Sequence, residues 1–199
     1  ASEIGLGIPA DPLFRSSILL FEWLSPIGFS SHTVMQIASV LPSVASGREW
    51  TSATHTLITH DGQLLLSKTT GEPKTMTIPE PGTYIYDEET KYSFTLLPNC
   101  HIEHGDILTC CADAATVAFP LTLRPVRQGD RFRPLGMKGS RLVSDFLTDL
   151  HLPLTAKRRQ MVLCDATGKI VWIVGRRMDD THKVTPQTEE TLVIIRKSS

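Results

Sequence analysis

The stretch GDRFRPLGMKGSRLVSDF, Gly129–Phe146, decides what fold we expect for the C-terminal part of the chain. Three glycines and one proline punctuate it, and no regular helix or strand tolerates so many of these residues. Behind them, apolar residues recur at helical spacing from Ser140 to Leu150. We therefore predict a shaped basic loop that leads into a helix, an arrangement suited to binding a partner.

The charge of the chain changes sign near residue 120. Residues 1–120 hold 5 Lys and Arg against 13 Asp and Glu, a net charge of −8, whereas residues 121–199 hold 15 against 8, a net charge of +7. This asymmetry indicates two units with different partners, and the basic unit is a candidate for binding nucleic acid. A basic surface that is merely solvated remains the alternative.

Ahead of the loop, the sequence predicts helices and then strands. One helix is expected at Asp11-Pro12 and a second near Ser30. From Trp50 onwards, short strands recur between Pro and Gly residues. We predict an α+β fold in two domains: N-terminal helices with a β-rich middle unit over residues 1–118, and a small α+β C-terminal domain over residues 119–199.

One cluster contains the residue types that bind zinc: CHIEHGDILTCC, Cys100–Cys111. His101 and His104 are too close together to form two arms of a zinc finger, and Cys110 and Cys111 would point to opposite faces of a strand. We predict buried thiols beside solvated histidines, with no metal bound. A metal-dependent hydrolase that uses this cluster is the enzyme-class alternative.

Signatures of catalysis, membranes and secretion are missing from the sequence. It contains no GxxxxGK[ST], no GxGxxG after a strand and no GxSxG elbow. Asp179-Asp180, flanked by Arg177 and Lys183, is interpreted as a salt-bridged turn rather than a Mg²⁺ site. Four cysteines without a CxxC pair favour a reducing compartment. We expect no catalytic residues, no membrane partner and a cytoplasmic location.

The basic residues of the C-terminal region are the strongest functional signal, because phosphate backbones need Lys and Arg at this density. The candidate nucleic-acid-binding residues are Arg131, Arg133, Lys138, Arg141, Lys157, Arg158, Arg159, Arg176, Arg177 and Lys183.

Several motifs of this region follow one another in a specific order and spacing. They are PLTLRPVRQGDRFRPLGMKGSRLVSDFLTDLHLP at Pro120–Pro153, GKIVWIVGRRMDD at Gly168–Asp180 and KVT at Lys183–Thr185. Together they resemble the C-terminal region of the bacterial tRNA(Ile)-lysidine synthetases. SGREW at Ser46–Trp50 and ADAATVAFPL at Ala112–Leu121 are similar to the middle region of that family.

The resemblance implies a function. Members of the family activate C2 of the wobble cytidine of a CAU-anticodon isoleucine tRNA with ATP, and lysine displaces the adenylate, which changes codon specificity from AUG to AUA. This carbon–nitrogen ligase chemistry belongs to an N-terminal PP-loop domain with an SGGxDS motif, which the sequence lacks. The resemblance therefore implies an inactive accessory part without cofactors, with ATP and Mg²⁺ bound by the preceding domain.

The resemblance also implies the partner of the basic loop. In the family, the C-terminal region is similar to a module that holds tRNA(Ile) at its acceptor stem, an A-form helix recognised by shape and phosphates. Glycines let backbone amides approach phosphates, and Lys138 and Arg141 add charge. A homodimer is compatible with this assignment. A free-standing RNA-binding module unrelated to lysidine is the binding-class alternative.

Overall fold

The computed structural model of the chain describes residues 12–41, 47–60, 62–69, 72–98 and 106–198. These residues form the predicted mixture of α and β structure, with few helices and several antiparallel sheets. They divide into two units, residues 1–71 and 72–199. Within the described ranges, no helix is long and apolar enough to cross a membrane.

The first unit packs two helices against a three-stranded antiparallel sheet. Its elements are α1 Pro12–Leu24, α2 Ser31–Val40, β1 Glu49–Thr51, β2 His55–His60 and β3 Gln63–Lys68. The hydroxyl of Ser30 accepts a hydrogen bond from the Thr33 amide at 3.2 Å and so caps α2. Gly62, with φ +76°, supplies the left-handed residue that the β2–β3 hairpin needs. Both helices and the strands that follow them agree with the prediction.

The second unit contains two larger antiparallel sheets. Their strand orders are β13-β12-β11-β8-β4 and β5-β6-β14-β7, and β9 pairs separately with β10. The strands are β4 Met76–Ile78, β5 Gly82–Ile85, β6 Thr90–Pro98, β7 Thr109–Asp113, β8 Leu121–Pro125, β9 Arg131–Phe132, β10 Arg141–Leu142, β11 Met161–Cys164, β12 Ile170–Ile173, β13 Arg177–Met178 and β14 Glu190–Ser198. The helices of this unit are α3 Val143–Asp149 and α4 Leu154–Arg158.

The division between the units differs from the expected boundary between residues 118 and 119. β14 inserts between β6 and β7, and β4 pairs with β8, so hydrogen bonds join the middle region to the C-terminal region. The basic region of the sequence therefore shares one unit with residues 72–120 of the acidic region. Residues 72–199 hold 17 Lys and Arg and 16 Asp and Glu, so this unit is nearly neutral as a whole.

The five-stranded sheet is buried on both faces. Leu123 and Leu163 face the four-stranded sheet, whereas Val162 faces the side covered by α3. A β-bulge sets Leu163 opposite Trp172 but Cys164 opposite Ile170. The extra residue, Val171, lets both Val171 and Trp172 face the core between the sheets. The sheet thus carries one apolar core on each side.

A substitution at Leu147 tests the packing of the core beneath α3. Its side chain is 2% exposed and packs against the five-stranded sheet. We expect Leu147→Ala to lower the free energy of unfolding by about 2–5 kcal/mol, because it removes buried methyl groups and leaves a cavity. Leu150, the residue that follows α3, is 41% exposed. Leu150→Ala is therefore the matched control, and it should change the free energy of unfolding by about 0.5 kcal/mol or less. Urea denaturation followed by circular dichroism compares the variants, and equal losses would contradict this packing.

Candidate nucleic-acid interface

The predicted basic loop connects β9 to β10. Phe132 lies opposite Arg141 in this hairpin, and the Val143 amide donates to the Asp130 carbonyl at 2.9 Å. The helix expected over Ser140–Leu150 is therefore shorter, since Arg141 and Leu142 pair as a strand and α3 begins at Val143. We call residues 133–140 the hairpin loop. Both of its ends are fixed by strand pairing.

A buried ion pair supports the base of this hairpin. The guanidinium of Arg124 donates to both carboxylate oxygens of Asp130 at 2.8 and 2.9 Å, and the Arg127 amide donates to the same carboxylate at 2.8 Å. Burial alone would raise the pKa of Asp130, but the hydrogen bonds from Arg124 and Arg127 outweigh it and lower the pKa. This pair has no signature in the sequence, because Arg124 and Asp130 are ordinary charged residues six positions apart.

The buried carboxylate of Asp179 fixes the start of the hairpin loop. Asp179 is 7% exposed, and its Oδ2 accepts the Arg133 amide at 2.7 Å. Its Oδ1 accepts the amide and the hydroxyl of Thr181 at 2.8 and 2.5 Å. These donors compensate the cost of removing a charge from water. Asp179 therefore ties the loop to the segment that follows β13.

Asp180 holds the middle of the hairpin loop. Its Oδ1 accepts the Gly136 amide at 3.0 Å, and its own amide donates to the Arg133 carbonyl at 2.7 Å. Both of its carboxylate oxygens lie 3.2 Å from Nζ of Lys183. The Gly136 amide, followed by Lys183, lowers the pKa of Asp180. The predicted salt-bridged turn at Asp179-Asp180 is thus present, and protein donors occupy both carboxylates.

Five of the ten predicted basic residues surround the hairpin loop, and we call them the loop group. They are Arg131, Arg133, Lys138, Arg177 and Lys183.

Contacts within the loop group hold its side chains close to the loop backbone. The guanidinium of Arg131 donates to the hydroxyl and the carbonyl of Ser140 at 3.2 and 3.1 Å. That of Arg177 donates to the Leu135 carbonyl at 3.2 Å. Lys138 is exposed near the end of the loop. The positive charge is therefore oriented by the same loop that the aspartates shape.

The other five basic residues lie on β10, on and just after α4, and after β12, and we call them the helix group. They are Arg141, Lys157, Arg158, Arg159 and Arg176.

Two members of the helix group, Arg141 and Lys157, contact the last turn of α3. Arg141 donates to Asp149 at 2.7 Å and lies over the Phe146 ring, and Nζ of Lys157 donates to the Thr148 hydroxyl at 3.2 Å. Cations are favourable there because the helix dipole is negative at its C-terminal end.

Two of the cations described above are paired with carboxylates. Arg141 contacts Asp149 and Lys183 contacts Asp180. The hydrogen bonds of Arg131, Arg177 and Lys157 described above end on neutral oxygens. A phosphate would compete with a carboxylate for the first two cations, whereas the other three retain their full charge for it.

The cysteine cluster lies only partly within the described residues. Cys110 is buried in the core between the two sheets, where burial raises the pKa of its thiol, and Cys111 is buried on the other face of β7. Cys100, His101, Glu103 and His104 lie outside the described residues. Where the structure describes the chain, no group of three His, Cys, Asp or Glu is placed to hold a metal ion.

Family models define the chain as a substrate-binding type of protein region. The solved structure titled as the TILS C-terminal domain matches with a TM-score of 0.55 and 17% identity, over 63% of this chain and 98% of that one. Residues 11–69 match the model of the TilS substrate binding domain, and residues 121–195 match that of the TilS substrate C-terminal domain. The chain therefore belongs to the tRNA(Ile)-lysidine synthase family and carries these two domains.

Curated relatives agree with this assignment. The chain is 31% identical to the tRNA(Ile)-lysidine synthase of Bacteroides thetaiotaomicron over 174 residues, which is 87% of this chain and 38% of that protein. It is 30% identical to that of Parabacteroides distasonis over 179 residues, 88% of this chain and 40% of that protein. The chain thus spans about two fifths of the length of these relatives.

Acid should release the Asp180 contact that holds the loop. Because the folded-state pKa of Asp180 lies below its ordinary value, the stabilisation is complete above about pH 4 and is lost as pH falls through the lowered pKa. The amide proton shift of Gly136, followed by NMR, should titrate with a midpoint below about 3.9. Asp180→Asn keeps an acceptor of similar shape and should abolish that titration. An ordinary midpoint, or an unchanged titration in the variant, would show that Asp180 does not hold Gly136.

Proposed function

We propose that the chain is the tRNA-holding part of an enzyme that ligates lysine to the wobble cytidine of CAU-anticodon tRNA(Ile) with ATP. Support comes from the family models, which are named for substrate binding, and from relatives named tRNA(Ile)-lysidine synthase. The observation that carries the proposal is the hairpin loop, clamped by Asp179 and Asp180 and surrounded by the loop group. ATP, Mg²⁺ and lysine belong to another part of the enzyme, which acts in the cytoplasm.

The acceptor stem of the tRNA is the proposed ligand of the hairpin loop. Its A-form major groove is too deep and narrow for side chains, so phosphates and 2′-hydroxyls are what a protein can contact. Arg177 uses one N–H group for the Leu135 carbonyl, and Arg131 donates from two of its nitrogens to Ser140. Each guanidinium has five N–H donors, so both retain donors for phosphate oxygens.

Preorganisation explains why two aspartates lie inside a basic surface. Asp179 and Asp180 hold the Arg133 and Gly136 amides in place before any ligand arrives. A loop that is already ordered loses less conformational entropy on binding. The aspartates lower the local positive charge, yet they fix the geometry in which the remaining cations meet a phosphate backbone.

Arg141 has a smaller part in this proposal than its position beside the loop suggests. Its guanidinium contacts Asp149 at 2.7 Å and lies 5.9 Å from the centre of the Phe146 ring. Phosphate binding would have to displace or share that carboxylate. Lys138, which is exposed on the loop itself, is therefore the sharper residue for a test.

Salt dependence measures the phosphate contacts. If roughly four to six phosphates are neutralised, the logarithm of the tRNA association constant should fall with the logarithm of salt concentration at a slope of about −3 to −5. Lys138→Ala should flatten that slope by nearly one unit. Lys74→Ala is the matched control, because it removes an exposed lysine of the same unit outside both basic groups. A tRNA association constant that does not change with salt concentration would refute the loop as the phosphate-binding surface. Identical slopes for the two variants would refute it as well.

The chain alone should not form lysidine. Its sequence contains neither the SGGxDS motif nor another phosphate-binding loop for ATP. CAU-anticodon tRNA(Ile) is incubated with ATP, lysine and the chain, digested to nucleosides and analysed by mass spectrometry. Unmodified cytidine is the expected result, and lysidine would overturn the assignment of the chemistry to another domain.

A further inference from the structure

A polar pocket lies beside the turn that clamps the hairpin loop. Its volume is about 290 Å³, and its walls come from residues 115–118, from the β11–β12 turn and from Thr181 and His182. The turn Asp180–His182 therefore faces two features of the second unit. Asp180 holds the Gly136 amide of the loop, and the two residues after it line the pocket. The same short turn thus contacts the loop through Asp180 and forms part of the pocket wall through the two residues that follow.

His182 lines the pocket, and its ring carries a buried hydrogen-bond acceptor without a partner among the described residues. The side chain is 3% exposed, and its Nδ1 lies 3.0 Å from the Thr116 hydroxyl. That hydroxyl donates to the Asp113 carbonyl at 2.8 Å, so it accepts from Nδ1–H of His182. The proton therefore sits on Nδ1, and Nε2 is an acceptor with no partner among the described residues. Burial lowers the pKa of His182, so the ring is neutral near pH 7.

Asp165 adds a second acceptor to the pocket, and Lys169 adds a cation. Asp165 is 5% exposed, and its Oδ1 takes the amide and hydroxyl of Thr167 at 2.9 and 2.7 Å and the Lys169 amide at 3.0 Å. All three bonds end on Oδ1, so the carboxylate keeps acceptor capacity on Oδ2. The ammonium of Lys169 belongs to an exposed side chain that also lines the pocket. The pocket thus favours a ligand with hydrogen-bond donors and one negative charge.

We propose that this pocket binds one unpaired nucleotide whose base carries an exocyclic amino group, supplied by the single-stranded end of the stem that lies on the hairpin loop. The amino group would donate to Nε2 of His182 or to Asp165, and Lys169 would attract the phosphate. Uracil has a carbonyl oxygen in place of the amino group, and this oxygen cannot donate a hydrogen bond to either acceptor. A volume at the lower limit of small-molecule sites suits a single nucleotide. The inference rests on the function proposed above.

RNA hairpins with different ends test the pocket on the 199-residue chain. One ends in unpaired 3′ adenosines and cytidines, the second in unpaired 3′ uridines, and the third is blunt. At fixed salt, the first should bind about tenfold more tightly than the other two, the advantage expected from one recognised base. Ala115→Phe places a large side chain in the pocket from an exposed lining position and should remove only this advantage.

The binding results distinguish failure of the pocket proposal from failure of the proposed function. Equal, salt-dependent binding of all three hairpins would overturn the pocket and leave the function standing, whereas no binding of any hairpin would overturn both. A preference that persists in Ala115→Phe would place the recognition elsewhere. Imidazole ¹⁵N NMR of the unaltered chain is the second readout. The Nε2 resonance of His182 should shift with the amino-bearing end and stay unchanged with the blunt hairpin.

Discussion

The burial of β11 and β12 on both faces is the constraint on which the second unit depends. Because neither face reaches water, one must be covered by the four-stranded sheet and the other by α3 and β9. Phe132 of β9 packs into the second core, and Met178 of β13 pairs with Trp172 beside the first. The two segments that meet at the hairpin loop are thus positioned by the sheet. The core therefore positions the two ends of the loop, and Asp179 and Asp180 hold the backbone between them.

In the second unit, the positions of the charged side chains matter more for binding than the net charge does. A unit with 17 basic and 16 acidic residues has almost no net attraction for nucleic acid at long range. Acidic side chains that lie beside the loop, namely Asp130, Asp179 and Asp180, are engaged by backbone amides or by cations. Lys138, Arg131 and Arg177 remain to meet a phosphate backbone. Local geometry, set by buried carboxylates, therefore matters more than the overall charge.

Local patterns in the sequence predicted the elements that local forces determine. The helices α1 and α2 follow from apolar periodicity and cap residues, and the strands after Trp50 follow from their Pro and Gly boundaries. The two-residue strands β9, β10 and β13 are too short to show a period. The insertion of β14 between β6 and β7 joins segments far apart in the chain, and no local pattern reports such pairing. Pairing of this kind therefore lies beyond a prediction made from local patterns.

The candidate site was predictable in composition but not in contacts. Basic residues and the Gly-rich loop are visible in the sequence, yet the partners that orient them come from elsewhere. Asp179 reaches Arg133 across 46 positions, and Thr116 reaches His182 across 66. The protonated nitrogen of His182 depends on such a contact, so the pocket had no signature in the sequence.

The central claim is that the clamped hairpin loop is the surface that meets RNA. Amide hydrogen–deuterium exchange of the chain, with and without tRNA(Ile), tests it directly over the whole molecule. We expect slower exchange in residues 133–140 and 176–183 and unchanged exchange in β5, β6 and β7 of the four-stranded sheet. Protection confined to those three strands, or no protection of the loop at saturating tRNA, would contradict it.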